Sequence, residues 1–303
     1  MIYLKKLHLL DEHSEWNIIM NGEKRRIHNN IYPLKIFPNK LLTEINFSDI
    51  TIFYGNNGSG KTTLLNIIAS KLKAQRRVDL DFGKYFELYV KEVDLVLSKL
   101  SMCDEIKLIS SDDVFDYLLD VQAINSNVHR KKEEITEEYF KLKDVNMDNF
   151  YNNWEIIKKK NSINSKTVSG YVREQLGTNN IISQSNGETA LLFWQNEIKE
   201  NAIYILDEPE NSLSSINQLK LKKFIEESVR FFNCQFIVST HSPFLLGLAD
   251  AIIYDLDCIP SKVKEFKELE NIRVYIDFFK EFVWLFVKIS SYLYQVVFFD
   301  IIQ

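Results

Sequence analysis

Eight consecutive residues carry the first legible chemistry. Gly55, Asn56, Asn57, Gly58, Ser59, Gly60, Lys61 and Thr62 satisfy the phosphate-loop pattern G-x-x-x-x-G-K-[ST] at every fixed position. Glycines let the backbone curl so that its N–H groups point inward at phosphate oxygens. Lys61 has the reach for β- and γ-phosphates, and the Thr62 hydroxyl is a ligand for Mg²⁺. Thr63 follows directly and completes the expected nucleotide-binding set. A second group lies far downstream. Ile203, Tyr204, Ile205 and Leu206 lead into Asp207 and Glu208, four apolar residues ending in two carboxylates. A strand buried on both faces would deliver Asp207 beside the phosphate loop as a Mg²⁺ ligand, directly or through water. Glu208 would then be the general base for an attacking water. His241 follows the next apolar run and is placed to probe a γ-phosphate.

These residues need a frame. The run 49–54 is β-branched and aromatic and reads as a buried strand ahead of the loop. Residues 63–72 are apolar at helical spacing and read as the helix after it, whose positive end adds to phosphate binding. Strands are expected over 201–206, 235–239 and 251–255, with helices over 189–199 and 214–231. Their alternation predicts an α/β fold around a mainly parallel sheet. Residues 1–54 read as an opening, antiparallel β part, with a strand within 1–10 and a second at Ile18-Ile19-Met20. The Asn21-Gly22 pair between apolar runs makes a hairpin plausible there.

Residues 75–167 change character. They are rich in charge, with a strand-like segment at 106–109, helix-start residues at Ser110-Ser111-Asp112-Asp113 and a mixed-charge amphipathic helix over 126–144. The stretch reads as a mostly helical insertion lobe in a single domain of 1–303. Its basic clusters, Arg130-Lys131-Lys132 and Lys158-Lys159-Lys160, read as solvated faces. No heptad repeat is sustained, which argues against a long coiled coil. The tail, 282–303, carries only Lys288 and Asp300 as charged residues beyond its start. A spanning helix wants about 20 apolar residues, and Lys288 splits this run. Membrane insertion, packing on a partner or its own core, and a reading-frame change late in the gene all remain open.

With 303 residues, 46% hydrophobic and 26% charged, the chain has ample material for a large core. A net charge of −5 gives no support to a general nucleic-acid coat, though a local basic groove is compatible with it. Cys103, Cys234 and Cys258 are far apart and form no C-x-x-C pair, which favours a reducing, cytoplasmic compartment and no zinc site. The N-terminal residues lack the apolar core of a signal peptide.

Taken together, these motifs resemble the ATP-binding-cassette superfamily of ATPases, and more narrowly its soluble bacterial AAA-family members related to RecF and structural-maintenance-of-chromosomes heads. Residues 55–62 are similar to the Walker A motif, 203–208 to Walker B with its catalytic glutamate, 207–214 to Walker B plus D-loop, and 239–245 to the switch-histidine segment. Where that superfamily has Leu-Ser-Gly-Gly-Gln, this chain has Gln184-Ser185-Asn186-Gly187-Glu188. Ser185 and Gly187 are kept, and Glu188 departs from the pattern in the manner of the soluble branch. The glutamine loop has no clear counterpart: Ser110-Ser111-Asp112-Asp113 stands at its place and Gln122 is nearby.

The resemblance implies a P-loop NTPase with an ABC-type head, ATP and Mg²⁺ as ligands, and catalytic roles for Lys61, Glu208 and His241. It also implies a homodimer formed on ATP binding, in which Ser185, Gly187 and Glu188 of one copy close over ATP held by the other. DNA repair or phage defence is the expected setting, with DNA or a nuclease as partner. Tyr3, Trp16 or Tyr32 would serve either adenine stacking or the core. The alternative is the nucleotide-binding subunit of a membrane transporter, against which the Ser-x-Gly-Glu signature and the long charged insertion both argue.

Overall fold

A computed structural model describes residues 2–21, 31–78, 81–98, 102–144, 167–176 and 186–282. The chain divides into two compact units, one of Met1–Val114 with Leu191–Gln303 and one of Phe115–Ala190.

The first unit is built on two sheets. Strands β1 (Leu4–His8), β2 (Glu44–Asn46) and β4 (Asp94–Leu97) form a small antiparallel sheet in the order β2-β1-β4. Strands β3 (Ile50–Tyr54), β5 (Glu105–Ser110), β6 (Ala202–Asp207), β7 (Gln235–Ser239), β8 (Ile252–Asp255) and β9 (Lys262–Lys264) form the larger one. Its order is β5-β6-β7-β3-β8-β9, parallel throughout except for β9. Every residue of β3 and β7 is buried, as expected of inner parallel strands covered on both faces. Helix α2 (Lys61–Leu72) buries all residues from Thr63 to Ala69. Leu64, Leu65, Ile67 and Ile68 share one core with Leu4, Leu7, Phe53, Ile203 and Ile237. Fully burying each such side chain contributes about 2 kcal/mol, so this helix is anchored by its flanks and cannot drift from the sheet that carries the acidic residues.

Gln235 ties the two sheets together. Its fully buried amide oxygen accepts the N–H groups of Tyr3 and Leu4 at 3.0 and 2.8 Å, and its amide nitrogen donates to the carbonyls of Leu4 and Ser48 at 2.8 and 2.9 Å. Each polar atom is satisfied, which makes the buried amide a register pin and not a liability.

The strand expected at Ile18-Ile19-Met20 is instead the end of helix α1 (Glu12–Asn21). Asp11 caps it, its Oδ1 accepting the Ser14 N–H at 2.8 Å, and Glu12 and Glu15 occupy the first turn. Cap and dipole chemistry outweigh the β-propensity of two adjacent isoleucines. Gly22, the second half of the expected turn, lies outside the described residues. Helix α3 (Lys84–Glu92) and strand β4 also belong to the first unit. Thus 75–114 of the expected insertion fall in the first unit and 115–167 in the second.

The second unit contains most of helix α4 (Ser111–Asp144), helix α5 (Val168–Leu176) and the start of helix α6 (Asn186–Glu197). Ser110 and Asp113 start α4 reciprocally: the Asp113 carboxylate accepts the Ser110 N–H at 2.7 Å, and the Asp113 N–H donates back to the Ser110 hydroxyl at 3.3 Å. Within the unit Tyr139 packs on Tyr171, with ring centroids 5.7 Å apart, beside Ile135 and Val168. The pairs Arg130–Glu134 and Lys141–Glu137 sit at i,i+4 on an exposed face, each worth about 0.3–0.5 kcal/mol. Lys158-Lys159-Lys160 lie outside the described residues.

Returning to the first unit, helices α7 (Ser215–Phe231) and α8 (Pro243–Leu246) follow β6 and β7, and the chain is helical again over 270–282, α9. Of the tail expected over 282–303, Phe282 ends α9 and 283–303 lie outside the described residues. Among the described residues no helix is long and apolar enough to cross a membrane.

Candidate functional site

The site forms where the carboxyl ends of three neighbouring parallel strands come level. Asp207 of β6 stands opposite Ser239 of β7, and Ser239 opposite Phe53 of β3. The loops leaving these three strands carry the phosphate loop, the Asp207-Glu208 pair and His241. Open parallel sheets characteristically bind ligands at such an edge.

Residues 55–60 make the loop between β3 and α2. Gly60 caps α2 with φ of 94°, a left-handed conformation that disfavours any side chain by about 1–2 kcal/mol. A Cβ at Gly55 would lie 2.7 Å from the Ser59 hydroxyl, too close for any residue but glycine. Asn56, Asn57, Gly58 and Ser59 complete the turn, with Ser59 N–H donating to Asn56 O at 3.0 Å. The Ser59 hydroxyl is buried without a hydrogen-bond partner. Lys61, Thr62 and Thr63 form the first turn of α2.

Lys61 is the centre of the cluster. Only 4% of it is exposed. Its ammonium donates to Gly55 O at 2.7 Å and Asn56 O at 3.3 Å, lies 2.7 Å from His241 Nε2 and approaches Glu208 Oε1 at 4.0 Å. Nε2 of His241 thus stands between the Lys61 ammonium and the Glu208 carboxylate, and the imidazole tautomer sets which of them it hydrogen-bonds. Burial pushes the Lys61 pKa below its ordinary value, while the carboxylates of Glu208 and Asp207 oppose the shift.

Asp207 ends β6 in a desolvated position. Burial raises its pKa, and hydrogen bonds from the Ser239 and Thr62 hydroxyls, together with Lys61, pull it back. Glu208 follows with φ of 49°, a strained backbone for a non-glycine residue. Two bonds hold it there: its N–H donates to the Ser239 carbonyl at 3.0 Å and lies 3.2 Å from the Ser239 hydroxyl. Its side chain meets Asn211 Nδ2 at 3.2 Å and His241 Nε2 at 3.4 Å. A cavity lined by Glu208, Glu210, Asn211, His241, Tyr275 and Phe279 opens beside this pair.

Lys61, Thr62, Asp207, Glu208 and His241 are therefore brought together. Gly187 and Glu188 lie in the first turn of α6 in the second unit, and Ser185 lies outside the described residues. Ser110 ends β5 opposite Asp207, while Gln122 lies within α4. Of the aromatic candidates, Tyr3 is fully buried and belongs to the core. Tyr32 stacks on Phe86, rings 5.8 Å apart and 5° from parallel. Trp16 is 52% exposed, on α1.

Three contributors are not singled out by the motifs. Asp257, just beyond β8, accepts the Asn56 N–H at 2.7 Å and so braces the phosphate loop from the next strand. Ser239 bridges Asp207 and Glu208. Glu210 accepts the N–H groups of His241 and Ser242. Asp257 has no motif around it, whereas Glu210 and Ser239 fall inside the segments 207–214 and 239–245, in which their own roles are not marked.

A cationic side chain in a glycine loop, a carboxylate beside a hydroxyl, and a carboxylate within reach of an imidazole can together grip a polyphosphate and activate water against its end. No curated protein matches this chain. Among solved structures it is similar to an Smc head domain with an extended coiled coil bound to the C-terminal domain of ScpA, from Pyrococcus furiosus: 16% identity, 91% of this chain and 100% of that chain covered, TM-score 0.38. It is also similar to the SMC head domain from Thermotoga maritima, at 15% identity with 84% and 94% covered and a TM-score of 0.35. The family model for the ABC transporter matches residues 39–211, from ahead of the phosphate loop to past the acidic strand end. On that match the chain belongs to the ABC transporter family, as an ATP-binding and ATP-hydrolysing member of it.

Proposed function

We propose that this ATPase works as a head-to-tail dimer that closes on two ATP molecules and opens on hydrolysis, in DNA repair or phage defence. The observation that carries the catalytic part is the convergence of Lys61, Glu208 and His241 within 4.0 Å at the ends of adjacent parallel strands. Lys61 and the N–H groups of residues 55–63 hold the phosphates. Glu208 orients a water and takes its proton as the water oxygen bonds to the γ-phosphorus and the bond to the β–γ bridging oxygen breaks. His241, beside Lys61 and Glu208, reads the γ-phosphate end by donating a ring N–H to a phosphate oxygen.

Mg²⁺ fits the residues present. The Thr62 hydroxyl and the Asp207 carboxylate are hard oxygen donors in contact with each other, and a carboxylate whose pKa is raised by burial is one that a cation would favour in its ionised form. Bound there, the ion would neutralise charge on the phosphates.

The dimer reading rests on the Ser185, Gly187 and Glu188 signature, with Gly187 and Glu188 in the first turn of a helix, whose free N–H groups are suited to an anion. The cellular setting rests on its Ser-x-Gly-Glu form and on the charged stretch 75–167. The test is Glu208→Gln. It should keep ATP binding, lose turnover by about 10²–10⁴-fold, and shift from monomer to dimer with ATP in light scattering. Undiminished hydrolysis would sink the Glu208 assignment, and a monomer at saturating ATP would sink the dimer. Hydrolysis stimulated by duplex DNA in a salt-sensitive way would support the cellular setting; indifference to DNA would count against a DNA-acting role.

The family match also favours a second reading, the nucleotide-binding subunit of a membrane transporter. Its mark would be co-fractionation with membranes that depends on a separate spanning protein.

A further inference from the structure

The loop after β7 is held by a carboxylate that the mechanism has not used. Glu210 Oε1 accepts two successive backbone N–H groups, from His241 at 2.7 Å and from Ser242 at 3.1 Å. Glu210 lies two residues beyond Glu208, in a turn fixed by the Asn211 N–H donating to Glu208 O at 3.1 Å and the Leu213 N–H donating to Glu210 O at 3.0 Å. Gln218, on α7, closes the bracket. Its Nε2 donates to Leu213 O at 2.9 Å, and its Oε1 accepts the Ser242 hydroxyl at 2.7 Å. Ser242 in turn caps α8, accepting the N–H groups of Phe244 and Leu245. One carboxylate thus joins the turn that carries Glu208 to the loop that carries His241, and the two functional side chains stand 3.4 Å apart across it.

We infer that Glu210 is a positioning residue for ATP hydrolysis, setting the distance and orientation of His241 relative to Glu208 by clamping the backbone of residues 241 and 242. The inference rests on the proposed role of His241. Physical cost points the same way. Taking a carboxylate out of water is unfavourable, and burial raises the Glu210 pKa despite the N–H groups that oppose the shift. An apolar residue would fill the turn at less cost, but it would leave two N–H groups of the histidine loop without their acceptor. Displacing a catalytic group by about 1 Å can lower a rate about 100-fold, so the clamp bears on turnover more than on nucleotide affinity.

The test uses the full chain and steady-state ATP hydrolysis. Glu210→Ala should lower kcat by roughly 10–100-fold with KM for ATP within about threefold. Glu210→Gln, whose amide oxygen can accept the same two N–H groups, should restore kcat to within about threefold of the parent. If the alanine variant melts below the assay temperature, Glu210→Met, of similar length and without an acceptor, carries the same prediction. The double variant Glu210→Ala with His241→Ala should be no slower than the slower single variant, because both act through one group. Parental kcat in Glu210→Ala, a loss confined to KM, a Gln variant as slow as Ala, or multiplicative losses in the double variant would each overturn the inference. Parental kcat in His241→Ala would instead overturn the reading on which it rests. A slow His241→Ala beside an unaffected Glu210→Ala would overturn this inference alone.

Discussion

Glu15 should make the stability of this protein fall as pH rises from mildly acidic to neutral. The residue sits on α1 with 2% of its surface exposed. Its Oε2 accepts the Lys35 N–H at 2.5 Å, and its Oε1 is buried without a hydrogen-bond partner. Burial pushes its pKa up from 4.5 to about 7, with the Lys35 N–H only partly opposing. Between those two values the folded chain holds a proton that the unfolded chain has released. Stability from this group is therefore complete below pH 4.5, declines across the window and is gone above pH 7. At about 1.4 kcal/mol per pH unit, that window sets a ceiling of roughly 3 kcal/mol. Glu15→Gln keeps an oxygen for the Lys35 N–H and removes the ionisation. It should match the parent near pH 4.5 and exceed it by about 1–3 kcal/mol at pH 8. Urea unfolding of both proteins at a series of pH values reads the difference directly, because other titrating groups cancel. A gap that does not change with pH, or a glutamine variant less stable at pH 8, would refute the reasoning. The effect matters to the site because Glu15 holds Lys35, and the adjoining Ile36 and Phe37 are the nearest neighbours a Cβ at Gly60 would meet.

Three further outcomes are expected. Lys61→Met should abolish ATP binding in isothermal titration, while relieving a buried cation whose pKa is already pushed down; affinity kept within tenfold would remove Lys61 from the phosphate site. Asp257→Ala deletes the acceptor of the Asn56 N–H, a charge-assisted bond worth about 1.5–3 kcal/mol, and should raise KM for ATP several-fold with kcat little changed; an unchanged KM would show that the loop needs no brace. Gly60→Ala forces a side chain into φ of 94° and within 3.1 Å of Ile36, which should destabilise by about 1–2 kcal/mol and lower the calorimetric midpoint by several degrees; an unshifted midpoint would contradict the strain.

The parts of this molecule that are legible from sequence are those whose function forces a local pattern. The phosphate loop must be glycine-rich and followed by a helix, and the middles of β6 and β7 must be apolar because both their faces are covered. These constraints operate over a few residues, so composition alone displays them. The N-terminal helix α1 is not legible in this way. Its Ile18-Ile19-Met20 run is ambiguous, and the deciding feature is a single cap at Asp11. Strand β4 hides among charges because it is an edge strand whose pairing with β1 supplies the missing order. Asp257 and Glu210 carry no local signal of their role, since each acts on backbone N–H groups that are distant in sequence or presented only after the loops fold. The signature residue Ser185 and the tail 283–303 lie outside the described residues, and their readings stand on sequence alone.

Strands β5 and β6 are hydrogen-bonded neighbours, yet the chain between Ser110 and Ala202 holds the whole second unit. The two ends of that excursion are fastened by the sheet, whatever lies between them. Loop-closure entropy grows only with the logarithm of length, about 0.6 kcal/mol for each doubling. Evolution could therefore exchange, shorten or enlarge the stretch between α4 and α5 with little penalty to the catalytic strands, provided the signature at the start of α6 stays. An engineer could do the same, grafting a reporter or a binding module between α4 and α5 and expecting the ATPase to survive.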